Sequence, residues 1–163
     1  MATQHTISVL VKNRPRVLAR VSGLFARRGF NIDSLAVSTT EDESISRMTI
    51  ATTADEATLA QICKQVSKLH DVVRVMDHTG DAVVERELCL AKVHADRAQR
   101  TELVQLCDIF RGDIVDIGNG ALIIQVIGDK EKIDAFVRLM REYQMQEMVR
   151  TGKILLSRGA QPT

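Results

Sequence analysis

Residues 5–39 read HTISVLVKNRPRVLARVSGLFARRGFNIDSLAVST, and the change of periodicity inside this stretch decides the fold. Ile7, Val9 and Val11 alternate with Ser8 and Lys12, Leu10 being the exception, which is the two-residue period of a strand with one buried face. Asn13 to Arg16 break that pattern. Pro15 suits a first helical turn, and Val17, Leu18, Val21, Leu24 and Phe25 then fall on one stripe of an α-helix. Gly29 is placed to stop it. A β-rich segment follows from Phe30, with an apolar phase shift between Ile32 and Leu35 that predicts a bulge.

Working outward, the polar run TEDES separates this strand from SISRMTIAT, so the two read as an antiparallel pair. Asp55 opens a second helix with Leu59, Ile62, Cys63, Val66 and Leu69 on one face, and DVVRVMDH is a fourth strand. Past TGD the order begins again: strand ERELCLAKVHA, a helix with Leu103, Leu106, Cys107 and Phe110, strand DIVDIG, turn Asn119-Gly120 and strand ALIIQVIG. A last helix carries Ile133, Phe136, Val137 and Met140 before MQEMVRTGKILLS. FARRGFNI and FRGDIVDI mark a divergent internal repeat. The expectation is an α+β protein of two βαββαβ units, residues 1–79 and 80–163, each with two helices on one face of a four-stranded antiparallel sheet. The other sheet face would be open to solvent or a partner.

The chain has 163 residues, enough for one ordinary core or two small ones. Lys+Arg 22 against Asp+Glu 21 leaves a net charge of +1, so no global field draws it to nucleic acid or a membrane. Cys63, Cys89 and Cys107 lack any C-x-x-C spacing and read as buried reduced thiols of a cytoplasmic protein. No apolar run approaches the roughly 20 residues that span a bilayer, and no leader pattern opens the chain.

Catalytic and metal chemistry find little support. His70, Asp71, Asp77 and His78 bracket a strand of roughly 25 Å if extended, and read as surface residues at strand ends. Gly118-Asn119-Gly120 precedes a strand and lacks the lysine of a phosphate loop, so it reads as a hairpin turn. No serine stands in G-x-S-x-G. The βαββαβ order also serves RNA recognition, but aromatic content is 3% and the phenylalanines fall mostly in helical stripes.

What remains is the strand-to-helix loop NRPRVL. A first helical turn exposes backbone N–H groups at the positive end of a dipole, and so can receive a carboxylate. Asn13 adds an amide able to accept from an ammonium or donate to a carboxylate. An amino acid has both groups, although an ordinary polar cap would look the same in sequence. Asn31, flanked by Phe30 and Ile32, is the other polar residue singled out, as a ligand group or a turn-exit asparagine.

NRPRVLARVSGLFARRGFNIDSLAV, SRMTI, VEREL, IFRGDIVDI and LSRG, in order from about His5 to Gly159, resemble the small regulatory subunit of acetohydroxyacid synthase (acetolactate synthase). The resemblance implies an N-terminal ACT domain, a second ferredoxin-like domain, and activation of a separate catalytic large subunit of branched-chain amino acid biosynthesis, with feedback by valine or related amino acids. Thiamine diphosphate, Mg²⁺ and FAD would sit on that partner and none on this chain. ACT domains of the family pair side by side as a homodimer, the effector lying between the loop of one chain and the second strand of its neighbour. By position these are Asn13, Pro15, Arg16, Val17 and Leu18, with Asn31 and Ile32 across the dimer. IFRGDIVD and LSRG would help contact the large subunit.

One departure stands out: the family usually has glycine where this chain has Arg16. Arginine there either weakens valine binding, by filling the pocket or redirecting the loop, or pairs with the effector carboxylate and alters specificity. Arg20, Arg27 and Arg28 lie off the apolar stripe and read as a solvated helix face. A free-standing ACT-type amino-acid sensor acting on another target is the alternative function, although no helix-turn-helix or basic tail accompanies the pattern.

Overall fold

The structure is a computed structural model that describes residues 2–163. The chain divides into two compact units, Met1–Val84 with Ile154–Thr163, and Glu85–Lys153. The second compact unit starts at Glu85, and the last ten residues group with the first. Backbone and side chain of Arg158 account for part of this return. Its N–H donates to the Ala82 carbonyl at 2.9 Å and its Nε to the Val83 carbonyl at 3.3 Å.

The first unit contains β1 (Thr3–Lys12), α1 (Val17–Arg27), β2 (Ser34–Thr39), β3 (Ile45–Ala54), α2 (Glu56–Val66) and β4 (Val72–Asp77). Its sheet has the order β2-β3-β1-β4, with every pairing antiparallel. Ile7, Val9 and Val11 from β1 and Met48 and Ile50 from β3 meet Val17, Val21, Leu24 and Phe25 of α1 and Leu59, Ile62 and Val66 of α2 in one core. The two-residue and 3.6-residue apolar periods are thus satisfied by burial against each other, the dominant favourable term in folding.

Glu85–Lys153 repeats the plan with most of β5 (Val83–His94), then α3 (Arg97–Ile109), β6 (Asp113–Ile117), β7 (Ala121–Gly128), α4 (Lys130–Glu142) and β8 (Met145–Arg150). The sheet path is β6-β7-β5-β8, the same order as in the first unit. Cys89, Ala91 and Val93, Leu122, Ile124 and Val126, Leu103 and Cys107, and Ile133, Phe136 and Met140 form its core. The element order, sheet order and single helical face of each unit make this an α+β protein of two ferredoxin-like sandwiches. A short strand, β9 (Ile154–Ser157), follows.

The repeat FARRG/FRG has an unexpected asymmetry. At the end of α1, Gly29 takes φ 69° and the Phe30 N–H donates to the Phe25 carbonyl at 2.9 Å, with the two rings edge to face at 6.3 Å. That is a Schellman ending with its usual apolar contact. At the end of α3 the left-handed residue is Arg111, φ 49°, and the Gly112 N–H donates to the Cys107 carbonyl at 2.8 Å. The glycine is displaced by one residue because a Cβ at 112 would lie 2.6 Å from the Gln125 carbonyl oxygen. The shared Arg-Gly pair thus supplies conformational freedom in one unit and close strand approach in the other.

Several other readings need correcting. β2 begins at Ser34, and its register with β3 is unbroken, so the phase shift between Ile32 and Leu35 marks a loop rather than a bulge. Register shifts occur instead at Leu10/Val11, Lys92/Val93 and Ile114/Asp116. Asp71 and His78 are buried, not surface residues: the Asp71 carboxylate receives Arg20, and His78 Nε2 meets Ser8 Oγ at 2.8 Å. The outer face of the first sheet is not open at its centre, since Ser8, Thr49 and Ala51 are buried there. Among the described residues no helix is long and apolar enough to cross a membrane.

All three cysteines are free. Burial pushes the Cys89 thiol up to about 11 and raises Cys63 and Cys107 as well. The thiolate is the reactive form, so at pH 8 a thiol reagent should leave Cys89 and Cys107 intact and modify Cys63 slowly. Adding denaturant should release all three, as followed by absorbance of the released chromophore. Rapid modification of Cys89 in the native chain would contradict this packing.

Candidate functional site

The loop between β1 and α1 is assembled by contacts distant in sequence. The Asn13 N–H donates to the Ser44 carbonyl at 2.7 Å and Asn13 Nδ2 to the Glu43 carbonyl at 2.9 Å, tying the loop to the β2–β3 connection. The Lys12 N–H donates to the Asp71 carbonyl at 2.8 Å. Arg20 Nη1 donates to Asp71 Oδ2 at 2.6 Å, with the carboxylate side chain 9% exposed. Arg20, whose side chain remains 57% exposed, is therefore both part of the solvated helix face and a strut between α1 and the start of β4. Asp71, Glu43 and Ser44 carried no spacing signal that would have joined them to the loop.

Arg16 is the N-cap of α1, with φ 72° and ψ −3°, and its side chain makes no capping bond. The other helices differ. Asp55 accepts from the Thr58 N–H, Asp96 from the Ala98 and Gln99 N–H groups, and Asp129 from the Lys132 N–H. Bonding to Thr58 also holds the Asp55 carboxyl below its ordinary range. A carboxylate side chain thus occupies the positive end of α2, α3 and α4, while α1 receives no side-chain cap.

Around that helix start, Asn13, Arg14, Pro15 and Arg16 are exposed. Leu18 is 45% exposed and Val17 only 4%. Val17 packs into the core, so of the two apolar residues in the loop only Leu18 is free to border a ligand. The Asn13 amide N–H is engaged by Glu43, while its Oδ1 makes no bond among the described residues, leaving an acceptor suited to an ammonium.

Asn31 and Ile32 lie elsewhere. They follow the end of α1, and the 11 residues of that helix separate its two ends by roughly 15 Å. Asn31 Nδ2 donates to Asp33 Oδ1 at 2.7 Å, and its carbonyl accepts from Thr52 Oγ1 at 2.6 Å. The Thr53 hydroxyl, opposed by burial but helped by the Asn31 amide, keeps the Asp33 carboxyl below its ordinary range. Ile32 is half-buried against the first core. A single chain thus brings Asn13 to Leu18 together and leaves Asn31 and Ile32 at the far end of the helix.

Among the described residues no group of three or more His, Cys, Asp and Glu side chains is gathered as a metal site would need. Ser8, His78 and Asp81 have the order of a hydrolytic triad, but the Ser8 hydroxyl is buried and His78 Nδ1 is 3.4 Å from Asp81 without a hydrogen bond. Phe25 and Phe136 are buried, and Phe30 and Phe110 pack against the two cores, so none forms a stacking platform for bases.

Comparison with known proteins gives a consistent match. Residues 7–74 match the family model described as the AHAS small subunit-like ACT domain, and residues 86–159 that of the small subunit of acetolactate synthase. A probable acetolactate synthase small subunit of Archaeoglobus fulgidus is 51% identical over 96% of this chain and 98% of its own length. The acetolactate synthase small subunit of Mycolicibacterium smegmatis is 44% identical over 95% of this chain and 91% of its own length. The crystal structure of the acetolactate synthase small subunit from Thermotoga maritima superposes with a TM-score of 0.89 at 40% identity, covering 98% of this chain and 99% of that one. With the first unit an ACT domain and the second a matching partner domain, the chain belongs to the family of acetolactate synthase small subunits.

Proposed function

We propose that this chain is a non-catalytic regulatory subunit that binds and activates an acetohydroxyacid synthase catalytic subunit and senses an amino acid through the loop Asn13–Leu18. The observation that carries the reading is the start of α1, which has exposed loop residues and no side-chain cap while Asp55, Asp96 and Asp129 cap the other helices. An effector carboxylate at this helix start would satisfy N–H groups that the chain's own side chains leave open. Asn13 Oδ1 would take the ammonium, and Leu18 the edge of a branched side chain.

Asn31 and Ile32 complete such a site only if a second chain supplies them, because α1 separates them from their own loop. A homodimer paired through its ACT domains would bring the two parts together. The catalytic partner would carry thiamine diphosphate, Mg²⁺ and FAD. Feedback then requires that the effector favour one of two subunit arrangements, the one that activates less well.

Arg16 modifies this site. Its backbone already has the left-handed conformation that glycine adopts without cost, which favours a loop of ordinary course with a guanidinium added to it. Weakened valine binding with activation intact is the consequence.

Mixing this chain with a thiamine-diphosphate-dependent acetolactate synthase catalytic subunit is expected to give a stable complex and a higher rate of pyruvate condensation, with no turnover by this chain alone. Repeated failure to bind or activate such subunits would favour a free-standing amino-acid sensor.

A further inference from the structure

We propose that the first unit carries a second ligand site, for a small organic or inorganic dianion, on the outer face of its sheet between Arg47 and Arg74. In the register of the sheet Leu10 of β1 stands opposite Arg47 of β3 on one side and opposite Arg74 of β4 on the other. The two arginines are therefore two strand spacings apart, roughly 10 Å between backbones, on one face with a single apolar residue between them.

Like charges so placed repel, and neither arginine forms a salt bridge among the described residues. Both instead line a cavity of about 440 Å³, within the size range of small-molecule sites. The returning segment 154–163 supplies its other wall. Leu155 and Thr163 are buried, and the Ser157 N–H donates to Thr163 Oγ1 at 2.7 Å, which folds the segment back on itself. Gln161 and Thr163 bring polar groups to the lining, Leu10 and Leu156 apolar ones, and Glu41 is its one acid.

Two separated guanidiniums match a ligand with two anionic groups, because each fork can take one carboxylate or phosphate through paired N–H bonds. Glu41 suits a donor on such a ligand, a hydroxyl or an amine. None of residues 13–18, 31 or 32 lines this cavity, so the site is separate from the proposed effector loop and stands whether or not that loop binds an amino acid.

Titration calorimetry of the full chain with pyrophosphate and with succinate, at constant ionic strength, tests the site. At least one of the two should bind at one per chain, and acetate should not; which of them binds distinguishes a phosphate from a carboxylate ligand. The double variant Arg47→Gln/Arg74→Gln should weaken that binding roughly 100-fold, about tenfold for each lost fork, with its circular dichroism spectrum unchanged. Arg14→Gln, in the effector loop, should leave it intact. Absence of binding by both probes would overturn the proposal, as would equal binding by the double variant or equal loss in Arg14→Gln.

Discussion

Replacing Arg150 with methionine is expected to lower the stability of the second unit by about 3–5 kcal/mol. Arg150 closes a network of β5, β8 and α4: its Nε and Nη2 donate to the two Glu87 oxygens at 2.8 and 2.7 Å, and its Nη1 to Asp134 Oδ1 at 2.8 Å. Lys130 holds the other Asp134 oxygen. The Glu87 side chain is 6% exposed, so loss of its forked partner strands a charge in a poorly solvated site. Burial tends to raise the Asp134 carboxyl, but its bonds to Lys130 and Arg150 and their charges outweigh this and hold it below its ordinary value of 3.8.

The sign of the pH effect follows from that direction. A folded value below the unfolded one gives a contribution that is complete above 3.8 and lost as pH falls through the folded value. The gap between native chain and variant should therefore narrow in acid. Denaturant unfolding measures both effects. The double variant Glu87→Met/Arg150→Met should recover most of the loss, since a buried pair replaced by apolar groups is often neutral. A single-variant loss under about 1 kcal/mol would place this network among solvated pairs.

Arg16→Gly is expected to bind valine at least tenfold more tightly than the native chain and to be more stable by about 1 kcal/mol. The stability gain follows from φ 72° at residue 16. A left-handed backbone costs an L-residue roughly 1–2 kcal/mol, and glycine relieves it at the price of a freer unfolded chain. The affinity gain follows from removing an exposed guanidinium from the proposed ligand approach, tenfold corresponding to about 1.4 kcal/mol. Calorimetry with valine, leucine and isoleucine reads the affinity. If the guanidinium instead pairs with the effector carboxylate, Arg16→Gly will lose affinity for the preferred amino acid.

Most of the architecture was legible because burial on one face leaves a period. Ile7, Val9 and Val11 declare a strand, and Val17, Val21, Leu24 and Phe25 a helix, from local spacing alone. Interactions between distant residues leave no such trace. Nothing near Arg20 indicates that its partner is Asp71, and nothing in KILLS indicates that the chain returns to the first unit. His78 read as a surface histidine at a strand end, yet it is buried, and so is His5, with Nδ1 bonded to Thr79 Oγ1 at 2.8 Å and Nε2 to the Ala54 carbonyl at 3.0 Å.

The loop itself was partly legible. The interruption at Asn13–Arg16 located it, but Pro15, read as part of the first helical turn, lies outside the helix, whose N-cap is Arg16; periodicity also grouped Val17 with Leu18, whereas packing gives the first to the core and leaves the second outside. The left-handed conformation of Arg16 was not legible from propensity, which disfavours it for arginine. Only the glycine usual in similar sequences pointed to a special backbone there.

The most direct test is steady-state acetolactate formation by a catalytic subunit reconstituted with this chain or with Arg16→Gly, across a range of valine concentrations. Both forms should raise the rate to the same extent without valine, and only the glycine form should be strongly inhibited as valine is added. Equal, strong valine inhibition of both forms would contradict the role assigned to Arg16, and no activation by either would contradict the regulatory reading.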